Sequence, residues 1–201
     1  MSRTGQYAKG VAKREEILEV ALEIIAREGY HGLTIRHLAD TVGLSKTGLL
    51  HYFGSKEDLF VEVLRRRDAV PRDVVARGGS EHFMETLMAA LRQNMEAAGL
   101  IQLYVRFSAE ATDPGHPAHE YFAERYRRLQ DSGSDAMQAL SADGRLAPSV
   151  DPGKLTVLLA ALLDGMQLRS LFSPELDVAG HVEHFMHLMG LHAEHDSSKS
   201  E

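Results

Sequence analysis

The sequence predicts an all-α protein, four short helices followed by longer ones. Two observations carry that reading. Apolar residues recur three and four positions apart, as in Ile17, Leu18, Ala21, Leu22 and Ile25, which fall on one stripe of a helix. No stretch holds the sustained period-2 alternation of β-branched residues that a half-buried strand requires. Punctuation adds a third signal: Ser, Thr or Asp stands before several apolar runs and Gly behind them, where helices start and stop.

The elements follow in order. A first helix over 11–28 stops at Gly29, which can take a left-handed cap conformation. Thr34 caps a short second helix carrying Ile35, Leu38 and Ala39 and closed by Gly43. Ser45 caps a third, reaching Tyr52. After Gly54, the run Ser55-Lys56-Glu57-Asp58 has the form of a capping box and opens a fourth helix with Leu59, Phe60, Val63 and Leu64. Pro71 and Gly78-Gly79 mark the next break, so residues 10–70 are expected to form one domain and 71–195 a second. In the second, helices are expected over 81–97, 99–112, 117–131 and 132–142. Asp151-Pro152 supplies an N-cap followed by proline at the first helical position and opens a helix to 172. Pro174 ends it, and a last helix spans 177–192 before a polar tail that should fray.

Composition excludes several classes. With 201 residues, 44% hydrophobic and 25% charged, the chain can bury a core and is not disordered by composition. The absence of cysteine removes disulfides, Cys-based zinc sites, iron–sulfur clusters and thiol nucleophiles. The first ten residues are polar, so no secretory signal is expected. The longest apolar run, Val157 to Leu163, is far short of the roughly 20 residues of a membrane span. A soluble, cytoplasmic protein with no membrane partner is therefore expected. No glycine-rich phosphate loop, nucleophile elbow or telling carboxylate pair is found, so no catalytic residue, cofactor or enzyme activity is assigned. The net charge of −7 is unevenly spread: residues 1–70 are nearly balanced, and the acidity lies beyond them. An acidic body with a locally basic N-terminal segment suits a DNA reader whose remainder avoids DNA.

Residues 34–53 hold the parts of a helix–turn–helix. Small Ala39 lets two helices approach steeply, Gly43 supplies the turn, and Leu44 plugs the core behind it. Ser45 then caps the helix whose first residues would reach base edges in the major groove.

The ordered set Gly32-Leu33-Thr34-Ile35-Arg36-His37-Leu38-Ala39, Val42-Gly43-Leu44-Ser45-Lys46, Leu49 to Phe53 and Ser55 to Phe60 resembles the DNA-binding domain of TetR-family transcriptional regulators. The likeness covers residues 11–60, about a quarter of the chain. It implies an N-terminal helix–turn–helix DNA-binding domain followed by a larger helical ligand-binding and dimerisation domain. It also implies a homodimeric repressor of double-stranded DNA with two-fold related half-sites, released by a small-molecule effector. By the same resemblance Thr34 contacts phosphate, Arg36 reaches a base, Lys46 and Thr47 enter the major groove beside Ser45, and Tyr52 and Lys56 clamp phosphates. One position departs: the family commonly has Tyr where this chain has Leu50, so His51 or Tyr52 would have to substitute.

Beyond the motif, the helix from 154 to 172 is apolar around its circumference, which calls for burial on every side. One side can face the core and the other a second copy; Leu155, Leu159 and Leu162, with Val182, Phe185 and Met189 of the last helix, are the expected dimer contacts. Met88, Tyr104, Phe107, Tyr121, Phe122, Tyr126, Met166 and Arg169 are candidate lining of a mainly apolar effector pocket, with core packing the plainer role for each. His181, His184 and His187 invite a metal reading, but they fan across the helix without a carboxylate partner motif and are taken as surface residues, with no metal assigned. The alternative function is a helical binding or metal-sensing module that does not read DNA.

Overall fold

The computed structural model describes residues 3–78 and 83–191. Nine α-helices occur among them: α1 (Arg3–Glu28), α2 (Ile35–Thr41), α3 (Lys46–Phe53), α4 (Lys56–Gly78), α5 (Phe83–Met95), α6 (Ala98–Glu110), α7 (His119–Ala142), α8 (Pro152–Ser170) and α9 (Val178–Leu188). A 3-10 turn at Tyr30–Gly32 joins α1 to α2, and no strand is found among the described residues. The polar tail and the stretch 79–82, to which a helix start was assigned, lie outside the described residues.

The caps sit where the sequence puts them. Thr34 Oγ1 accepts from the His37 amide, Ser45 Oγ from Gly48, Ser55 Oγ from Asp58, and the Asp151 and Asp177 carboxylates from Lys154 and Gly180. Each satisfies one of the donors that a helix start leaves open. Two expected breaks are absent. Helix α4 continues through Pro71 to Gly78, the proline forfeiting one backbone bond without ending the helix. Helix α7 runs unbroken through Gly133, where a Cβ would stand 2.6 Å from Thr156 Cγ2. That glycine makes room for α8 rather than a turn.

The chain forms two compact units. The first is residues up to Ala69 together with Glu96–Phe122; the second is Val70–Met95 together with the chain from Ala123. The expected partition at residue 70 therefore needs correction, because α6 and the start of α7 belong to the first unit. The reason is packing. Leu103, Tyr104 and Phe107 on α6, with Tyr121 and Phe122 on α7, share one core with Ile17, Ala21 and Ile25 of α1 and Leu59, Phe60 and Leu64 of α4.

The second unit has its own core, rich in methionine: Met84, Met88, Met137 and Met186 pack with Leu140, Leu155, Leu159, Val178 and Val182. Helix α8 is apolar on more than one side, and only part of that surface is buried within the chain. Val157, Leu158, Leu168 and, just beyond the helix, Phe172 stay exposed, as does Leu188 on α9.

Candidate nucleic-acid interface

The helix–turn–helix is built in the order its chemistry requires. Helix α2 ends at Val42, whose amide bonds the Leu38 carbonyl. Gly43 follows at φ 69°, a conformation L side chains rarely adopt, and the Leu44 amide returns to the Ala39 carbonyl at 2.8 Å. Leu38, Ala39, Val42 and Leu49 are buried beneath the turn. That packing leaves Lys46, Thr47 and His51 exposed on α3. A short helix with a buried inner face and cationic or hydroxyl groups at its outward start is shaped to enter a major groove.

Thr34 and Ser45 are helix caps. As caps, each hydroxyl oxygen accepts a backbone hydrogen bond, and each O–H remains a donor for a phosphate. Arg36 is exposed on α2 with only a long contact, 3.8 Å, to Asp40, and in water such a pair is worth little. Lys56 sits half-buried in the first turn of α4, its Nζ 5.1 Å from the centroid of the Phe60 ring and 6.0 Å from that of Tyr30. Cation–π attraction holds the ammonium there without neutralising it. Tyr52 is half-buried and packs on the core, its ring edge-on to that of His51. Leu50, partly buried on α3, also packs against the first unit's core.

The remaining assignments fare unevenly. Tyr104, Phe107, Tyr121 and Phe122 belong to the core of the first unit, each 4% exposed or less. Met88 is core in the second unit and Met166 packs against it. Tyr126 lies at the surface with its hydroxyl donating to Asp164 at 2.6 Å, and Arg169 is exposed in the last turn of α8. An open trough of about 540 Å³ lies in the second unit between Gln130 of α7 and Asp151, Gly153, Lys154, Val157 and Leu158, and none of the expected lining residues borders it. Of the expected dimer contacts, Leu155, Leu159 and Val182 are buried inside the subunit's own core, where no partner can reach them. Leu162, Phe185 and Met189 are partly buried against it. Among the described residues no set of three His, Asp or Glu gathers as a metal site. His181 Nδ1 instead lies 2.6 Å from the Asp177 carbonyl.

Some supporting residues were missed by sequence reasoning. Lys13 Nζ donates to the Val42 carbonyl and to Glu16, both at 2.7 Å, tying α1 to the turn. Arg14 pairs with Glu62 at 2.7 Å and lies over the Phe53 ring. The triplet Arg65-Arg66-Arg67 serves the fold: Arg66 reaches Glu15 and Glu19 on α1, and Arg67 is buried over the Tyr104 ring. Apart from Lys13 and Glu16, these partners stand tens of residues apart, beyond any local spacing signal. Tyr30 belongs here too. Burial lifts its phenol above the ordinary tyrosine range, against the opposing pull of Arg106, whose guanidinium is itself raised by its hydrogen bond to Glu110.

The comparisons agree with this geometry. Residues 17–63 match the family described as bacterial regulatory proteins, tetR family. The chain is 31% identical over 153 residues to the HTH-type transcriptional repressor AcnR of Corynebacterium diphtheriae, covering 76% of this chain and 78% of that protein. It is 44% identical over 64 residues to the HTH-type transcriptional regulator RutR of Escherichia coli, covering 31% of this chain and 30% of that one. Among solved structures, a TetR transcription regulator from Haloarcula marismortui superposes with a TM-score of 0.69 at 21% identity, covering 90% of this chain and 97% of that one. A Saccharomonospora viridis protein solved in complex with choline gives 0.69 at 23% identity over 87% of this chain and 95% of that one, a likeness of fold. A turn built to present α3, a matching family model over the same residues, and a repressor relative aligned along three quarters of the chain converge: this protein belongs to the TetR family and is a helix–turn–helix transcriptional regulator.

Proposed function

We propose that the protein is a homodimeric repressor, acting by binding and not by catalysis, which leaves its operator when a small molecule occupies the second unit. The observation that supports DNA reading by these particular residues is the outward face of the motif: Arg36, Lys46, Thr47 and His51 exposed around a buried turn. Thr34, Ser45, Tyr52 and Lys56 hold the neighbouring backbone phosphates in this reading. Such a regulator works where its DNA is, in the cytoplasm. No helix among the described residues is long and apolar enough to cross a membrane.

The dimer reading rests on the unused surface of α8. Leu158, Ala161, Gly165 and Leu168 recur at alternating three- and four-residue steps, continued by Phe172, and all are exposed. Such a spacing suits two helices packing side by side. Leu188 of α9 is exposed as well, and apolar side chains left open on both helices are what an interface between copies would cover. A two-fold pair would offer two α3 helices to half-sites about 34–36 Å apart.

The effector reading rests on the methionines of the second core, whose flexible thioethers repack around an apolar guest. A guest that prefers one spacing of the two recognition helices over another shifts the equilibrium off DNA, by no more than that difference in affinity. The experiment is a mobility shift with the intergenic DNA upstream of its own gene, repeated with apolar compounds of each charge class. A retarded band that some compounds dissolve supports the reading. No retarded band sinks the operator assignment, and a band that every compound leaves intact, with no shift of Tm, sinks the effector half.

A further inference from the structure

The first fourteen residues stand apart from the rest of this acidic chain. They hold Arg3, Lys9, Lys13 and Arg14 and no acidic residue, in a protein whose net charge is −7. From Arg3 onward they form the start of α1, whose buried apolar stripe begins only at Ile17. From Tyr7 to Ala12 little packs on this stretch: Tyr7 is 78% and Val11 46% exposed, Ala8, Lys9 and Ala12 are exposed, and a Cβ at Gly10 would meet nothing within 4 Å. Lys13 and Arg14 are committed to Val42, Glu16 and Glu62, whereas Lys9 has no ion pair among the described residues.

The position of this extension is fixed by Lys13. Its ammonium bonds the Val42 carbonyl, three residues before the N-cap of the recognition helix, so α1 passes the turn at that point. At 1.5 Å per residue, Lys9 lies about 6 Å along the helix from Lys13 and Arg3 about 15 Å. The second distance corresponds to roughly four base pairs of duplex at 3.4 Å per step. A helix start of that length, exposed from Tyr7 to Ala12 and without an acidic residue, begins beside the residues that enter the groove, and DNA is the partner of opposite charge close by.

We propose that residues 7–12 are a second DNA-contacting element, in which Lys9 binds a backbone phosphate outside the half-site and Tyr7 offers its hydroxyl to the same strand. The element adds affinity and salt dependence without reading sequence, since phosphate contacts position a protein and base contacts specify. The inference rests on the DNA-binding activity of the family and extends the contacted surface beyond α2, α3 and the start of α4.

The test uses the full chain and a duplex it selects from a random-sequence pool, made in two lengths. One ends flush with the selected consensus; the other carries about eight further base pairs on each side. Anisotropy titrations across a salt series then compare wild type with Lys9→Ala, Lys9→Arg and a deletion of residues 2–8. On the long duplex Lys9→Ala and the deletion should lose roughly threefold or more in affinity. Lys9→Ala should also lower the slope of log affinity against log salt by about one per bound subunit. Lys9→Arg should restore both. On the flush duplex the variants should match wild type to within about twofold, and Tm should stay unchanged. An unaltered slope on the long duplex for Lys9→Ala overturns the proposal. A wild type that binds neither duplex would instead remove the DNA-reading assignment itself.

Discussion

Gly99 of α6 lies against the backbone of α1 so closely that a Cβ built on it would overlap the Ile25 carbonyl oxygen and stand 2.7 Å from the Cα of Gly29. Neither obstacle is a flexible side chain. The start of α6 and the end of α1 therefore meet backbone to backbone, and only glycine fits. Gly99→Ala should separate the two helices at that crossing, costing about 1–3 kcal/mol as an overpacked core does. In a chain of this length the loss is a fall of roughly 3–10 °C in Tm, read by calorimetry. A variant that melts with wild type would show that the contact is looser in solution.

The face of α8 chosen by a charge decides its effect. Leu159 is 6% exposed in the second core and Leu158 is 57% exposed beside it. Leu159→Glu should cost more than about 3 kcal/mol and leave little folded protein, because an unpaired carboxylate enters an apolar interior. Leu158→Glu should keep its circular dichroism and sediment as a monomer. Dimers of Leu158→Glu at micromolar concentration would exclude this seam.

Arg36 and Lys56 should fail in different ways. Arg36→Ala is expected to cost about 1–3 kcal/mol on the operator and to relax preference at one base pair per half-site. Lys56→Ala should weaken all duplexes alike and lower the salt slope by about one per subunit. Equal losses on operator and random DNA for Arg36→Ala would reassign it to phosphate.

Alkaline pH should report on Tyr30. Because burial lifts its phenol, the folded state keeps a proton that the unfolded chain releases above about pH 10. The stabilisation is whole below that range and is lost as pH rises through the lifted value. Tyr30→Phe should thus show a shallower alkaline decline in Tm than wild type. Parallel curves would mean that the phenol is not desolvated in solution.

What the sequence made legible was local. Thr34, Gly43, Ser45 and Ser55 announce their structure through cap and turn chemistry within four residues, so the motif could be placed and its outward residues listed. Three-dimensional partners were out of reach. Nothing around Tyr104 or Phe107 says that they share a core with α1 and α4, since an inward aromatic looks the same whatever it packs against. Leu155 and Leu158 present the same difficulty on α8. The side chains are alike, and the direction each faces depends on where α7 and α9 lie. The break expected between residues 131 and 132 is absent, and Gly133 beside it lies against Thr156, a partner no local pattern reveals.

The return of residues 96–122 to the first unit bears on how such regulators can be recombined. A chimaera joined at residue 70 would transplant a reading head stripped of Leu103, Tyr104 and Phe107, and would bury their replacements, from a foreign α6, against an α1 they were never fitted to. Grafts that also carry 96–122 keep the interior of the head intact and move the seams to 69/70, 95/96 and 122/123. The unit of inheritance for specificity is thus a discontinuous piece of chain, and exchange between relatives should succeed where all three seams are respected.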